Sequence, residues 1–251
     1  MAQLLQHLVE APNTCSYLAR ETASLEHRVM IEVTPDELEE LLIRGWRRFG
    51  PDYFRPACGA CQQCISTRIV VADFAPTRSQ RRARKNLGDI RVMLGPPAID
   101  DERLDLYHAW HSDREEARAW APGALDRRHY FLQLGFPHPA AREIAYYDDA
   151  AGGRLIGVAL CDETKHAWSA IYFFFDPAYA RLSLGVANIV LQVEIARSRG
   201  IPHVYLGYNV TACPSLRYKG AFHPQQMLVG RPDPGEEPRW VPVDLRTTER
   251  D

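Results

Sequence analysis

Residues 168–206 constrain the fold more than any other stretch. An aromatic, β-branched run from Trp168 to Phe175 ends at Asp176-Pro177. An amphipathic pattern follows from Ser183 to Arg199, closed by Gly200 and Pro202. A short apolar run, His203 to Leu206, comes next. Strand, helix, strand in this order implies a parallel pair joined by a right-handed crossover. Upstream, Glu143–Tyr147 and Leu155–Cys161 read as two further strands turning at 148–153, antiparallel to each other and to the third. The expected class is α/β, in mixed α+β form, around a mixed central sheet.

The N-terminal half is read from local signals. Residues 1–14 look like an irregular arm. Thr34-Pro35-Asp36-Glu37 carries a capping box with proline at the first helical position, so a helix should open there. It should run to about Phe49, with Leu38, Leu41, Leu42 and Trp46 on its buried face, until Gly50-Pro51. Tyr53–Pro56 is extended, Ile65–Phe74 a strand, 79–87 a helix and 90–94 a strand. Helices are expected over 100–118 and 127–134, with loops at Ala121-Pro122-Gly123 and 137–139. The organisation is then a cysteine-containing region over 1–75, a basic and helical linker over 76–140, a mixed strand–helix domain over 141–230, and a loose tail over 231–251.

No apolar run approaches the ~18 residues of a membrane span, and the N-terminus lacks secretory features. A cytoplasmic protein without membrane association is expected, in which cysteines stay reduced. The net charge is −2, so any polyanion contact must come from a local patch.

Two such local features stand out. Cys58-x-x-Cys61-x-x-Cys64 sets three thiols in seven residues, a spacing that lets thiolates converge on one metal or cluster. Cys15 is the candidate fourth ligand, and four thiolates suit Zn²⁺ and an iron–sulfur cluster alike. Cys161 reads as core, and Cys213 lies in a loop before Pro214. Just downstream, Arg78, Arg81, Arg82 and Lys85 fall at helical spacing on one face, within a stretch of six basic residues against the single acid Asp89. Such a face follows a phosphate backbone without reading bases.

The crossover helix opens with Arg181-Leu182-Ser183-Leu184-Gly185. A helix N-terminus with glycine lets backbone N–H groups approach an anionic or carbonyl oxygen. GNAT-class acyltransferases use this layout, but their pyrophosphate loop is one residue shorter, which points to a donor other than coenzyme A. Tyr205 to Tyr208, then Arg217-Tyr218-Lys219, follow the next strand, where strand ends commonly face ligands.

Together these segments resemble the arginyl-tRNA–protein transferase family, and within it the short bacterial aspartate/glutamate leucyltransferases. The stretches that carry the likeness are Cys15–Leu18, Tyr53–Cys64, Val71–Arg82, Tyr172–Gly185, Gln192–Arg197, Tyr205–Tyr208, Cys213 and Tyr218-Lys219. Leu18 stands where a second cysteine occurs in eukaryotic members, and residues 209–212, Ala221 and His223 also depart from the pattern. The resemblance implies a GNAT-like transfer domain, an aminoacyl-tRNA donor, acceptor proteins starting with Asp or Glu, entry into the N-degron pathway, and metal or iron–sulfur binding at the N-terminal cysteines. The reaction, aminolysis of an activated ester, needs alignment and oxyanion support but no cofactor. Tyr172, Asp176 and the Gly185 helix start are expected around the donor, with Tyr208 and Lys219 near the acceptor. Arg78, Arg81, Arg82, Lys85, Arg181, Ser183, Arg217 and Tyr218 are the expected substrate-binding residues. A coenzyme-A-dependent N-acetyltransferase and a non-catalytic RNA-binding or metal-sensing module are the rival readings.

Overall fold

A computed structural model describes residues 1–118 and 126–243. In chain order it forms β1 (Gln3–Val9), β2 (Asn13–Thr14), β3 (Thr22–Ala23), β4 (Leu25–Ile31), α1 (Pro35–Leu42), β5 (Arg47–Phe49), β6 (Asp52–Pro56) and β7 (Ile65–Val70). Next come α2 (Arg78–Lys85), β8 (Ile90–Gly95), α3 (Asp101–Arg118), α4 (Arg127–Tyr130), β9 (Ala141–Asp148), β10 (Arg154–Glu163) and β11 (Ala167–Phe175). The series ends with α5 (Leu184–Ser198), β12 (His203–Asn209), β13 (Gln225–Leu228) and β14 (Trp240–Pro242).

Eight strands form the main sheet in the order β14-β13-β7-β12-β11-β10-β9-β8. Every neighbouring pair is antiparallel except β11 and β12, which run parallel. This is the crossover expected from the sequence, with α5 as its helix, and it gives the GNAT-like mixed sheet. Helices cover both faces. On one, α5 and Ala83 of α2 pack Leu184, Val190, Val193 and Ala196 against Ile144, Ile156, Trp168 and Val204. On the other, Leu106 and Tyr107 of α3 join Tyr130, Leu134, Val158 and Phe174. Burial from both sides explains why β10 is covered at eight successive positions, the pattern of a two-faced strand rather than an alternating one.

A second sheet, β1-β4-β6-β5, is antiparallel. Arg48 of β5 docks it on the main sheet through a buried two-point pair with Asp162 of β10. Losing one partner of such a pair costs about 3–5 kcal/mol, because the other is left charged and buried.

Three expectations are corrected. Residues 1–14 are not an irregular arm: β1 pairs with β4, and since all seven of its residues are exposed no burial alternation betrays it. The helix opening at Thr34 keeps its capping box but ends at Leu42, not Phe49. Gly45 turns the chain with φ +83, and 47–49 become β5. The tail is not loose from Arg231 onward, because β14 pairs with β13 and Arg55 holds the Pro232 carbonyl at 3.0 Å. The loop expected at Ala121-Pro122-Gly123 and the end of the tail, 244–251, lie outside the described residues. β7 precedes residue 75 yet sits between β12 and β13, so strands from both sides of that boundary share one sheet. Among the described residues no helix is long and apolar enough to cross a membrane.

Candidate active site

The parallel pair holds together over only three residue pairs, Ala167–His203, Trp168–Val204 and Ser169–Tyr205. Just beyond, both strands bulge. Ala170 and Tyr172 pair with Cys161 and Leu160, leaving Ile171 as the extra residue of β11. Tyr205 and Gly207 pair with Arg68 and Thr67, leaving Leu206 extra in β12, where Gly207 supplies φ +76. Bulges bend and twist a strand. Two of them at facing positions split β11 from β12 and open a cavity of about 630 Å³.

The walls of this cavity are mostly apolar, with Phe49, Trp110, Phe173, Val186, Ile189 and Leu206 among them. At one end stands the start of α5. Ser183 adopts a left-handed conformation, φ 58 and ψ 43, and makes no side-chain cap. The first intrahelical bonds run from the Val186 and Ala187 N–H groups to the Ser183 carbonyl. The N–H groups of Leu184 and Gly185 precede that ladder, as first-turn donors do, and both residues line the cavity. A Cβ on Gly185 would meet nothing within 4 Å, so the glycine leaves open space for a ligand at the helix N-terminus.

Tyr172, Tyr218 and Lys219 line the same space. The Tyr172 hydroxyl lies 2.9 Å from Nε2 of His111, and burial holds its pKa above the ordinary phenol value. Lys219 donates from Nζ to the Tyr208 carbonyl at 3.2 Å. Burial, reinforced by the Arg47 guanidinium, pushes its pKa down to about 7. Among the described residues Lys219 makes no ion pair, and no Asp or Glu lines the cavity.

Two expected catalytic residues are not brought to the cavity. Asp176 is buried and engaged locally: it accepts the Ala178 N–H at 2.9 Å, capping the turn over Pro177–Leu182, and pairs with Arg154. Tyr208 turns its hydroxyl away, donating to the Gly45 carbonyl at 3.0 Å and lining a separate cavity of about 400 Å³ beside Cys58 and Cys64. It contributes only the backbone oxygen that anchors Lys219. Arg217 is exposed and outside the lining.

The basic helix α2 leaves Arg78, Arg81, Arg82 and Lys85 exposed, while Arg84 pairs with Glu194 of α5 at 2.8 Å. Asn86 ties the end of α2 to the Leu182 carbonyl at 3.1 Å. Between the two helices runs a groove lined by Ser79, Arg82, Asn86 and Arg181, and by Ser183 and Val186, which also line the main cavity. The groove and the cavity therefore adjoin at the start of α5, where they share Ser183 and Val186.

All six cysteines are free thiols. Burial, then the neighbouring thiols of Cys58, Cys15 and Cys61, raise the Cys64 pKa to about 12, so the four lie in one neighbourhood. Arg231 pins the carbonyls of Cys58 and Cys61 at 2.9 and 2.8 Å. Four reduced thiols are a donor set that fits Zn²⁺ or an iron–sulfur cluster, although among the described residues no three His, Cys, Asp or Glu side chains already stand as a metal-holding group. From the Cys15 loop, Tyr17 reaches the main cavity, its N–H donating to Cys15 Sγ at 3.4 Å.

His111, Tyr17 and Arg47 belong to this neighbourhood without having been expected there. His111 lies within the helix expected over 100–118, whose sequence carries no motif. Tyr17 lies within a matching segment but carries no chemical signal, and Arg47 falls inside the helix expected from Thr34 to Phe49.

Comparison with known proteins covers both halves of the chain. The model described as "Arginine-tRNA-protein transferase, N terminus" matches residues 13–82, and its C-terminus counterpart matches residues 102–229. An aspartate/glutamate leucyltransferase of Chromohalobacter salexigens is 38% identical, over 90% of this chain and 91% of its own. One from Campylobacter jejuni is 34% identical, over 86% and 90%. One from Stenotrophomonas maltophilia is 39% identical, over 74% and 75%. Solved structures resemble the chain more loosely: the crystal structure of FemX does so with a TM-score of 0.43 at 11% identity, over 74% of this chain and 64% of that one.

Proposed function

The chain belongs to the arginine-tRNA–protein transferase family, and on that premise we propose that it moves leucine from leucyl-tRNA to the N-terminus of proteins beginning with Asp or Glu. That it is an aminoacyl-tRNA–protein transferase follows from the family; the donor and acceptor identities are the proposal. One observation carries them. Among the described residues the cavity offers a mostly apolar wall and no carboxylate, with Lys219 and Arg114 as the cations that line it. A leucine side chain finds apolar surface there, whereas an arginine would enter without an acid to meet its charge. An acidic acceptor residue supplies the anion that Lys219 lacks.

In this reading the 3′ end of the donor tRNA follows the groove between α2 and α5, past Arg82 and Arg181, and delivers its ester at Ser183. The N–H groups of Leu184 and Gly185 face the ester oxygen as charge develops on it. The acceptor's α-amine attacks the carbonyl, and the energy comes from alignment of an already activated ester. Such a donor places the reaction in the cytoplasm and feeds the N-degron pathway. Cys15, Cys58, Cys61 and Cys64 hold Zn²⁺ or an iron–sulfur cluster that braces the N-terminal loops and takes no part in the transfer.

The test is incubation of the purified protein with leucyl-tRNA or arginyl-tRNA and peptides starting with Asp, Glu or Gln. Leucine incorporated into the Asp and Glu peptides alone is expected. Arginine incorporation, or equal transfer to the Gln peptide, would overturn the proposed specificity.

A further inference from the structure

His111 stands behind the cavity lining: its partner Tyr172 lines the cavity, and His111 is not among the described lining residues. The imidazole projects from α3, stacks on Tyr107 with ring centroids 4.0 Å apart, and places Nε2 2.9 Å from the Tyr172 oxygen. Trp110, the preceding residue of the same helix, lines the cavity beside Tyr172. In the tautomer protonated at Nδ1, His111 Nε2 accepts the phenol proton of Tyr172. The result is a two-step path from the cavity to Tyr172 to His111.

We propose that His111, acting through Tyr172, carries the proton of the aminolysis. This rests on the aminoacyl-transfer reading. As the acceptor's α-amine nitrogen bonds to the ester carbonyl carbon, it gives a proton to the Tyr172 oxygen, and the Tyr172 proton passes to His111 Nε2. The carbon–oxygen bond to the tRNA ribose then breaks. The two protons return by the same path, and the ribose oxygen leaves as a hydroxyl. Protons balance over the cycle, and no co-reactant is needed. Burial lowers the His111 pKa below the ordinary imidazole value, with Glu115 opposing and His108 assisting. The ring is therefore neutral and able to accept at neutral pH. Tyr107 and Tyr172, which pack against the ring, are both held as neutral phenols by burial.

The experiment compares wild type with His111→Gln, His111→Phe and Tyr172→Phe, using whichever charged tRNA wild type accepts and an Asp-starting peptide. Gln keeps a hydrogen-bond acceptor for Tyr172 but takes no proton; Phe keeps the stack on Tyr107. Each variant should lose about 10²-fold or more in kcat, with KM for the peptide and affinity for the tRNA within about twofold. Melting temperatures report on folding. A His111→Gln, Tyr172→Phe double variant should fall no further than either single one. Undiminished kcat in His111→Gln, a loss confined to KM or tRNA affinity, or additive losses would each overturn the relay. An inactive wild type would instead overturn the transfer reading, and the relay with it.

Discussion

The guanidinium of Arg47 donates to the carbonyl of Ala170, the first residue of β11 past its pairing with β12. The split of a parallel pair frees backbone groups, which must find other partners when buried. Arg47 supplies one of them from the second sheet. Its charge also faces Lys219, whose pKa it helps to depress. One side chain thus satisfies the split strand and tunes the cation at the cavity rim.

Replacing Arg47 by Gln keeps a donor for Ala170 and removes the charge. The Lys219 pKa should rise from about 7, but stay below its ordinary value because burial is the larger cause. The sign of the activity profile follows. In wild type the ammonium of Lys219 is present below pH 7 and lost as pH rises through its folded pKa. KM for Asp-starting peptides should therefore climb above neutral pH, and in Arg47→Gln the climb should begin at higher pH. Steady-state kinetics over pH 6 to 9 check both. The same depressed pKa means that the unfolded chain binds the extra proton between the folded and unfolded values, so this group's contribution to stability rises with pH across that window.

The groove beside α2 separates two kinds of arginine. Arg81 and Arg82 are exposed, whereas Arg84 is paired with Glu194. Arg81→Glu with Arg82→Glu should weaken tRNA binding and flatten the plot of log affinity against log salt by about one to two units. Arg84→Gln should leave the salt slope almost unchanged. Filter binding at several salt concentrations distinguishes them.

Asp176 sits at the end of a strand that lines the cavity, yet its oxygens are engaged by the Ala178 N–H and Arg154. Asp176→Ala should lower stability by about 1–2 kcal/mol through loss of the cap and a buried acceptor. Transfer by the folded variant should keep its kcat. Urea unfolding beside single-turnover transfer checks both halves.

The parts of the site legible in the sequence are those set by local rules. The crossover around α5 announced itself through period and stop signals, and Thr77 and Gln80 reproduce in α2 the capping box seen in α1. Lys219 is legible because residues in the loops beyond strand ends tend to face ligands, and Tyr172 because it opens one of the stretches that carry the family resemblance. Tertiary contacts hid the rest. Leu38, Leu42 and Trp46 are spaced like one helical face, but Trp46 is buried by Arg28 and Arg55 over its ring, at 4.4 and 4.8 Å, after the chain has turned at Gly45. An aspartate before a proline reads equally as a catalytic acid or a cap, and only its partners decide. His111 became visible only when α3 was laid on β11.

The cysteine neighbourhood gives the last prediction. Its thiols are free and neighbour one another, and Arg231 fixes the loop carbonyls of Cys58 and Cys61. Protein prepared with reductant and without chelator should contain close to one equivalent of zinc, or an iron–sulfur cluster with visible absorbance, by elemental analysis and spectroscopy. Cys58→Ser and Cys61→Ser should each lose it and lower the melting temperature, because metal binding contributes folding free energy. Leucine transfer by the remaining folded protein should fall mainly through KM, since the loop bearing Tyr17 borders the cavity while the groups proposed to face the ester lie on α5 and β11. Metal-free wild type with an unchanged melting temperature would show that these four thiols pack without a metal.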